Sequence, residues 1–181
     1  VLTLGYSRLM HISKFRIVKY GYLTKKTIDK VYAMDLKNYG LENTWNKDYQ
    51  REVYNRNHDS FFAIKYKHDL VGYISYLNII PDEYERLKNT RKLYREIDLN
   101  IIIPFRSNRK SYLLFESINV RKEYDKDQTI ELIVKKINSF IKAKYRKKIY
   151  IHGIIGFALT DFEKKVYDSL GFTKVKTIDN N

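Results

Sequence analysis

The stretch SYLLFESINVRKEYDKDQTIELIVKKINSFIKAK, residues 111–144, joins a short apolar run to a long amphipathic one. Its first part is rich in aromatic and β-branched side chains and is too short for a helical core, which predicts a buried strand that ends at Val120. From Ile130 to Ile141, apolar residues recur every three or four positions with lysines between them, which predicts an amphipathic helix. Asp127 is the expected N-cap of this helix.

A strand that leads through a short loop into a helix directs unpaired backbone N–H groups at one place. Such places bind anions, phosphate groups above all, because the N-terminal end of the helix dipole is positive. The same pattern is typical of a plain packing unit that binds no ligand. This segment alone leaves both interpretations open.

The length and composition favour one domain without metal or disulfides. The chain has 181 residues, enough for a substantial core, and we expect a single domain over residues 1–181. It has no cysteine, and its four histidines lack the spacing of a zinc site. No apolar run reaches the length of a membrane span, and residues 1–10 do not resemble a signal peptide. We therefore expect a soluble, cytoplasmic protein.

The formal net charge is +14, which attracts polyanions such as nucleic acid, an anionic membrane surface or a phosphate-rich cofactor. The lysines and arginines are spread along the chain and interleaved with acidic residues. Biased coding toward Lys, Ile, Asn and Tyr explains such a distribution at least as well as a nucleic-acid surface does. Nucleic acid stays one of the partners that the charge allows.

Other patterns predict further elements on both sides of the central stretch. We expect strands over residues 15–20, 60–67, 70–79 and 149–155, a short last strand from residue 172, and helices over 24–38, 45–57, 81–96 and 160–170. His68 and Asp69 are the expected tight turn of a hairpin, and Gly72 marks a bulge or a close backbone approach. Residues 98–105 are compatible with a strand or an extended loop. The main order is β-α-α-β-β-β-α-β-α-β.

Three local signatures with this order make the chain resemble the GCN5-related N-acetyltransferase superfamily, or GNAT fold, from about Phe15 onward. The first is the hairpin FFAI to DLVGYI at residues 61–74, and the second is the strand that ends at Val120 with Tyr124 four residues later. The third and most specific is VYDSLGF at residues 166–172. The resemblance implies an α+β fold with a mixed, mostly antiparallel central sheet flanked by helices.

The resemblance also implies an acyl-CoA-dependent N-acyltransferase that uses acetyl-CoA and acts on a small-molecule or peptide amine. The residues at positions that bind the cofactor in the family are Ile118, Asn119, Val120, Lys126, Asp127, Gln128, Thr129, Ile130 and Thr160. The short segment after Phe172 leaves room for one closing strand where the family has two. A partner chain, as in a homodimer, is one way to supply the second.

The pyrophosphate loop departs from the family pattern. The family has a cation or amide, then two small residues, at the positions of Asp125, Gln128 and Ile130. We expect the larger side chains to obstruct phosphate, and Asp125 and Asp127 to repel it. These departures favour the alternative that the domain has lost catalysis and serves as a binding or regulatory protein, with nucleic acid as one candidate ligand.

Two residues are candidates for catalysis. Acyl transfer to an amine needs a base for the ammonium and an acid for the leaving thiolate. Glu116 lies among apolar residues that raise the pKa of a carboxyl group, and an outward charge on the edge of the strand is the equal alternative. Tyr167 matches the family's thiolate-protonating tyrosine, although in a chain with 17 tyrosines a core position is a serious alternative.

Overall fold

A computed structural model describes residues 14–19, 23–57, 60–90 and 98–175. Five strands form one sheet in the order β1 to β5: β1 Phe15–Lys19, β2 Phe61–Tyr66, β3 Asp69–Ile79, β4 Lys110–Val120 and β5 Tyr150–Gly156. Neighbouring strands are antiparallel except β4 and β5, which are parallel. The α+β class and the mixed, mostly antiparallel sheet are therefore confirmed.

In the described part of the chain, five α-helices cover the two faces of this sheet: α1 Lys25–Tyr39, α2 Lys47–Arg56, α3 Pro81–Asn89, α4 Asp127–Arg146 and α5 Asp161–Ser169. The buried apolar residues of α1, α2 and α3 form one core cluster with the first face of the sheet. Those of α4 and α5 form a second cluster with the opposite face. Among the described residues, no helix is both long and apolar enough to cross a membrane.

Side-chain caps fix where several helices begin. The Thr24 side chain accepts a hydrogen bond from the Thr27 N–H and is the N-cap of α1, so the helix predicted over residues 24–38 begins where expected. At α4 the prediction is wrong by one residue. Lys126 has the extended backbone of an N-cap, and Asp127 is the first helical residue, where its charge still favours the helix dipole.

The hairpin turn is also displaced by one residue from the prediction. Asp69 pairs with Tyr66, so β2 ends and β3 begins one residue earlier than predicted, and the connection consists of Lys67 and His68. Lys67 has a φ of 54°, in the left-handed region that a tight connection needs.

The predicted last strand is absent from residues 172–175, and residues 176–181 lie outside the described part of the chain. Phe172 instead packs against the core, with its ring centroid 5.0 Å from that of Tyr167 and 6.3 Å from that of Phe115. The helix predicted over residues 81–96 ends at Asn89, and residues 91–97 lie outside the described ranges. Residues 98–105 contain a short 3₁₀ turn, Leu99–Ile101, and one bridge between Ile79 and Ile102.

Gly72 combines the two features predicted for it. The register of β2 against β3 shifts beside it, because Ile64 pairs with Gly72 whereas Lys65 pairs with Leu70. A Cβ atom at Gly72 would lie 2.5 Å from the carbonyl oxygen of Asn119 on β4. Only glycine therefore allows β3 and β4 to approach this closely.

We predict that Gly72→Ala lowers the free energy of unfolding by roughly 2–3 kcal/mol, since the methyl group meets backbone atoms that cannot rotate away. Gly171→Ala is the matched control. Its φ is +80° but no heavy atom surrounds the added Cβ, so only backbone strain of about 1 kcal/mol is expected. Urea unfolding measures both, and an equal or smaller loss at Gly72 would contradict the close approach.

Candidate functional site

A cavity of about 70 Å³ lies on the sheet face that α1, α2 and α3 cover. Its walls come from these helices, from β3 and β4, and from the segment after β5. The lining residues are Asp35, Tyr39, Asn43, Trp45, Gln50, Tyr73, Leu87, Leu114, Glu116, Ser117, Phe157 and Leu159.

A bulge in β4 brings Glu116 into this cavity. Ser75 pairs with Ser117, but the next residue, Tyr76, pairs with Phe115, so Glu116 is the extra residue of β4. Successive residues of a regular strand point to opposite faces, whereas Glu116 and Ser117 both line the cavity. The alternative of an outward charge at the strand edge is therefore wrong for Glu116.

The strands β4 and β5 separate at the same point. Their last paired residues are Phe115 and Gly156, and beyond them the chain leaves the sheet toward α5. The Ile118 N–H, on this unpaired part of β4, donates to Oε1 of Glu163 at 3.3 Å. The Arg121 N–H bonds to β3 on the other side, so alternation along the strand places the Val120 N–H on the unpaired side.

The carboxyl group of Glu116 is in an unusual state. Burial and, to a smaller extent, the negative charge of Asp35 raise its pKa to about 8, although a hydrogen bond from the Ser75 hydroxyl acts in the opposite direction. Its Oε2 atom is buried and accepts no hydrogen bond from the described residues. The raised pKa that the sequence predicts is thus found, while the role as a base stays a prediction.

A second carboxyl group, that of Asp35 on α1, lies behind the cavity and is 4% exposed. Its Oδ1 accepts hydrogen bonds from the Tyr73 hydroxyl and from Nδ2 of Asn119, the latter at 2.8 Å. Its Oδ2 accepts one from Nε2 of Gln50 at 3.0 Å. Burial raises the pKa of Asp35 to about 7 although these donors lower it. The side chain of Asn119, predicted to bind cofactor, is part of this network.

A third carboxyl group, that of Glu163 on α5, lies in the opening between β4 and β5. Besides Ile118, the Tyr39 hydroxyl donates to its Oε1 at 2.9 Å. Its Oε2 accepts from the N–H groups of Leu159 at 2.9 Å and Thr160 at 3.2 Å, and the Thr160 hydroxyl caps α5 in return. Burial raises the pKa of Glu163, and these donors lower it. Thr160, a predicted cofactor residue, is therefore a helix cap here.

Tyr167 lies where the two strands separate, on the face of α4 and α5. A Cβ atom on Gly156 would be 2.7 Å from its hydroxyl oxygen. The residue is 5% exposed, and its hydroxyl has no hydrogen-bond partner among the described residues. Burial, followed by the charge of Glu163, raises its pKa well above the usual value. A buried hydroxyl without a partner is costly in a purely structural tyrosine.

The first turn of α4 differs from the sequence prediction in one respect. Ile130 is 7% exposed and packs into the second core cluster, so the obstruction of phosphate predicted from this residue is wrong. Thr129 is also buried, and its hydroxyl donates to the Tyr124 carbonyl at 2.7 Å. Gln128 is half-buried, whereas Asp127 is exposed at the start of the helix.

Sequence analysis missed Asp35, Gln50 and Glu163. A signal existed for two of them: Asp35 follows Val31 by four residues on the apolar stripe of α1, and Glu163 follows Thr160 by three, the spacing of a capping box. No group of His, Asp or Glu in the described part of the chain has the arrangement of a metal site.

No family model and no curated protein sequence matches the chain. Solved structures do match. Ard1 from Thermoplasma volcanium is 12% identical, with a TM-score of 0.52 over 88% of this chain and 83% of that one. The GNAT-like decarboxylase GphF in complex with isobutyryl-CoA is 11% identical, with a TM-score of 0.61 over 87% and 72% of the two chains.

A third match is AAC(6')-Iy in complex with the bisubstrate analogue CoA-S-monomethyl-acetylneamine. It is 10% identical, with a TM-score of 0.53 over 92% of this chain and 96% of that one. Likeness at these identities concerns the fold alone. The chain therefore has the fold of the GCN5-related N-acetyltransferase superfamily.

Proposed function

We propose that this chain is an acyl-CoA-dependent N-acyltransferase that transfers an acetyl group to an amine of a small molecule or peptide. The observation that carries the proposal is the bulge in β4. Because of it, the Glu116 carboxyl group points toward the cavity, at the place where β4 and β5 separate. The structural neighbours that bind isobutyryl-CoA and a CoA bisubstrate analogue support it at the level of the fold.

The described residues fit an acyl-CoA in two respects. The separation of β4 from β5 leaves one edge of β4 unpaired, and the Tyr167 hydroxyl at this place has no partner among them. Acyl-CoA would supply the acyl group and a thiolate as the leaving group. The residues that would hold it are Ile118, Asn119 and Val120 on β4, Thr160, and the start of α4 at Lys126, Asp127, Gln128, Thr129 and Ile130.

Glu116 is the proposed general base. An amine attacks only when it is neutral, so the ammonium form must lose a proton first. A carboxyl group with a pKa of about 8 is a far better proton acceptor than an ordinary glutamate. Its unpaired Oε2 atom can take the proton without breaking a hydrogen bond to any described residue.

Tyr167 is the proposed general acid. Burial keeps its hydroxyl protonated at neutral pH, because the pKa is raised above the usual value. The hydroxyl can then give its proton to the departing sulfur. The N–H groups of Ile118 and Val120, on the unpaired side of β4, are the proposed donors to the carbonyl oxygen, and Glu163 competes for the first of them.

We predict that Glu116→Gln lowers kcat/KM by roughly 100-fold or more, the range expected for a lost general base. In the unaltered chain, kcat/KM should rise as the pH increases toward about 8 and level off above it, since the carboxyl group is protonated below its pKa. The variant should lose this dependence. Glu131→Gln, on the exposed side of α4, is the matched control. An unchanged pH profile in Glu116→Gln would contradict the assignment of Glu116 as the general base.

Tyr167→Phe should lower turnover by roughly 100-fold while it retains the fold. Because the hydroxyl lacks a partner among the described residues, its removal should leave the melting temperature unchanged or slightly raised. Tyr145→Phe, at a side chain that is 68% exposed, is the control. Turnover equal to that of the unaltered chain would mean that Tyr167 is only a core residue.

The alternative is a binding or regulatory domain without catalysis. It is favoured by Asp125 and Asp127, which are exposed beside the start of α4 where phosphate would lie. The net charge of +14 keeps nucleic acid as a candidate ligand of such a domain. The nucleic-acid and homodimer predictions both stay predictions.

Calorimetry with acetyl-CoA separates the two functions. We predict saturable binding that Lys126→Ala weakens modestly and Asp127→Asn strengthens, because the changes respectively remove and add net positive charge at the start of α4. No heat of binding at millimolar acetyl-CoA would contradict the acyltransferase. In that case, binding of a DNA or RNA oligonucleotide that weakens steeply with added salt would support the alternative.

A further inference from the structure

Two acid-free segments carry most of the net positive charge of the chain. Residues 99–115 and 132–160 contain ten lysines and arginines and no aspartate or glutamate, which leaves +4 of the net charge of +14 for all other residues. Eight of these ten cations lie in the turn before β4 and between the end of α4 and the start of β5. We call this surface the basic end: Arg106, Arg109, Lys110, Lys142, Lys144, Arg146, Lys147 and Lys148.

Hydrogen bonds hold the two parts of the basic end together. The Ser107 hydroxyl donates to the Lys147 carbonyl at 3.0 Å, and the Asn108 N–H donates to the Lys148 carbonyl at 2.8 Å. The strands β4 and β5 then begin side by side, because their first residues are paired. The cations of the two segments therefore form one continuous surface at this end of the sheet.

Few groups on this surface neutralise its charge. Seven of the eight cations are exposed, and none of the seven forms an ion pair within the described ranges. Lys144 is half-buried, with its ammonium nitrogen 3.5 Å from the centroid of the Phe105 ring. Cations stabilise the C-terminus of a helix, which explains those in the last turn of α4 but not Arg106 and Arg109 before β4. A surface of this charge attracts polyanions.

Two exposed tyrosines lie among the cations and favour one class of polyanion. Tyr145 is 68% exposed and Tyr150 is 38% exposed, with their ring centroids 5.5 Å apart. Single-stranded nucleic acid uses this combination, because its unpaired bases stack on aromatic rings while lysine and arginine hold its phosphates. An anionic membrane favours exposed Trp, Phe or Leu side chains that enter the lipid. Here the neighbouring Phe105 is half-buried and Ile149 is buried.

The basic end is remote from the candidate functional site. Lys110 and Glu116 are six residues apart on β4, which is about 20 Å along an extended strand. The helix α4 has 20 residues, so its start at Asp127 is about 30 Å from its end at Arg146. A ligand at the basic end therefore leaves the cavity and the opening between β4 and β5 accessible.

We propose that the basic end binds single-stranded nucleic acid, with phosphates on its lysines and arginines and a base stacked on Tyr145. Arginine suits this role, because its guanidinium group can donate two parallel hydrogen bonds to one phosphate. The basic end contains none of the residues proposed for acyl transfer, so binding of nucleic acid does not depend on the acyltransferase. Phosphodiesters and base faces are common to DNA and RNA, and both strands are therefore tested.

Fluorescence anisotropy of labelled oligothymidylate and oligouridylate, each of about 12 nucleotides, measures the binding. We expect saturable binding of both strands to the unaltered chain. Four to eight phosphate contacts give a slope of about −3 to −6 for the logarithm of the association constant against the logarithm of the salt concentration. Absence of binding at about 50 mM salt, or tighter binding of a DNA duplex of equal length, would overturn the proposal. So would binding of phosphatidylserine–phosphatidylcholine vesicles without binding of either strand.

A combined variant removes four charges from exposed side chains of the basic end: Arg106→Gln, Arg109→Gln, Arg146→Gln and Lys147→Gln. The matched control removes four charges from exposed side chains of α1: Lys25→Gln, Lys26→Gln, Lys30→Gln and Lys37→Gln. Both variants have the same net charge. We expect the first to weaken oligonucleotide binding at least about 10-fold at about 100 mM salt and the control less than about 3-fold. Equal weakening would mean that only the net charge acts, and would overturn the proposal.

Tyr145→Ala tests the stacked base. It should weaken oligonucleotide binding about 10-fold without a change in the salt slope, because it removes a ring and no charge. Tyr145→Phe retains the ring and should bind as the unaltered chain does. Unchanged affinity in Tyr145→Ala would overturn the assignment to single strands. Binding of acetyl-CoA without binding of either oligonucleotide would overturn this inference and leave the acyltransferase standing. Loss of oligonucleotide binding in the combined variant alone would support the inference even if acetyl-CoA does not bind.

Discussion

One extra residue in β4 is the constraint on which the candidate site depends. The register shift between Ser75 and Tyr76 turns Glu116 and Ser117 to the same face, and it coincides with the last pair between β4 and β5. Without the bulge, either Glu116 or Ser117 would point to the opposite face, where α4 and α5 pack. The bulge therefore gives the cavity its carboxyl group, and the separation of the strands follows directly after it.

Three carboxyl groups lie around this point, and each has a different set of hydrogen-bond donors. Asp35 accepts hydrogen bonds from three side chains, and Glu163 accepts them from Tyr39 and from backbone N–H groups of two segments. Glu116 has an oxygen without a donor among the described residues. Donors stabilise the charged form of a carboxyl group and burial opposes it. Glu116 is thus the least compensated of the three, which agrees with its pKa of about 8 against about 7 for Asp35.

Local patterns predicted most of the fold, because helix caps, apolar stripes and glycine positions are properties of short segments. Thr24 is an example, since it caps α1 through the Thr27 N–H three residues later. Gly72 is another, because a glycine inside a strand pattern by itself indicates a bulge or a close approach. The prediction of a last strand was wrong because no local feature distinguishes a segment that pairs with a sheet from one in which Phe172 packs against the core. The sequence does contain one sign of the bulge. The residues that face α4 and α5 are Leu113 and Phe115, then Ile118 and Val120, so the spacing between them changes from two residues to three at the bulge.

The polar residues of the site could be predicted only in part. Glu116 was predicted from its apolar neighbours and Tyr167 from the family resemblance. Gln50 has no local feature that distinguishes it from a surface glutamine of a charged helix. Its importance arises from Asp35 on another helix, which fixes one end of its amide and leaves the other toward the cavity. Contacts between separate elements of this kind depend on the tertiary fold, and so does the acidic lining of a cavity in a basic chain.

The two proposed proton-transfer groups belong to opposite faces of the sheet. Glu116 lines the cavity under α1, α2 and α3, whereas Tyr167 packs in the cluster of α4 and α5. A closed sheet would separate them completely, because backbone hydrogen bonds between adjacent strands leave no passage. The place where β4 and β5 part is the end of that barrier, since Phe115 and Gly156 are their last pair. Glu163 also lies at this opening, bonded to β4 on one side and to Tyr39 on the other. A thioester in the opening would therefore meet the amine from one face and the acid from the other, which keeps the proton that leaves the amine apart from the proton that reaches the sulfur.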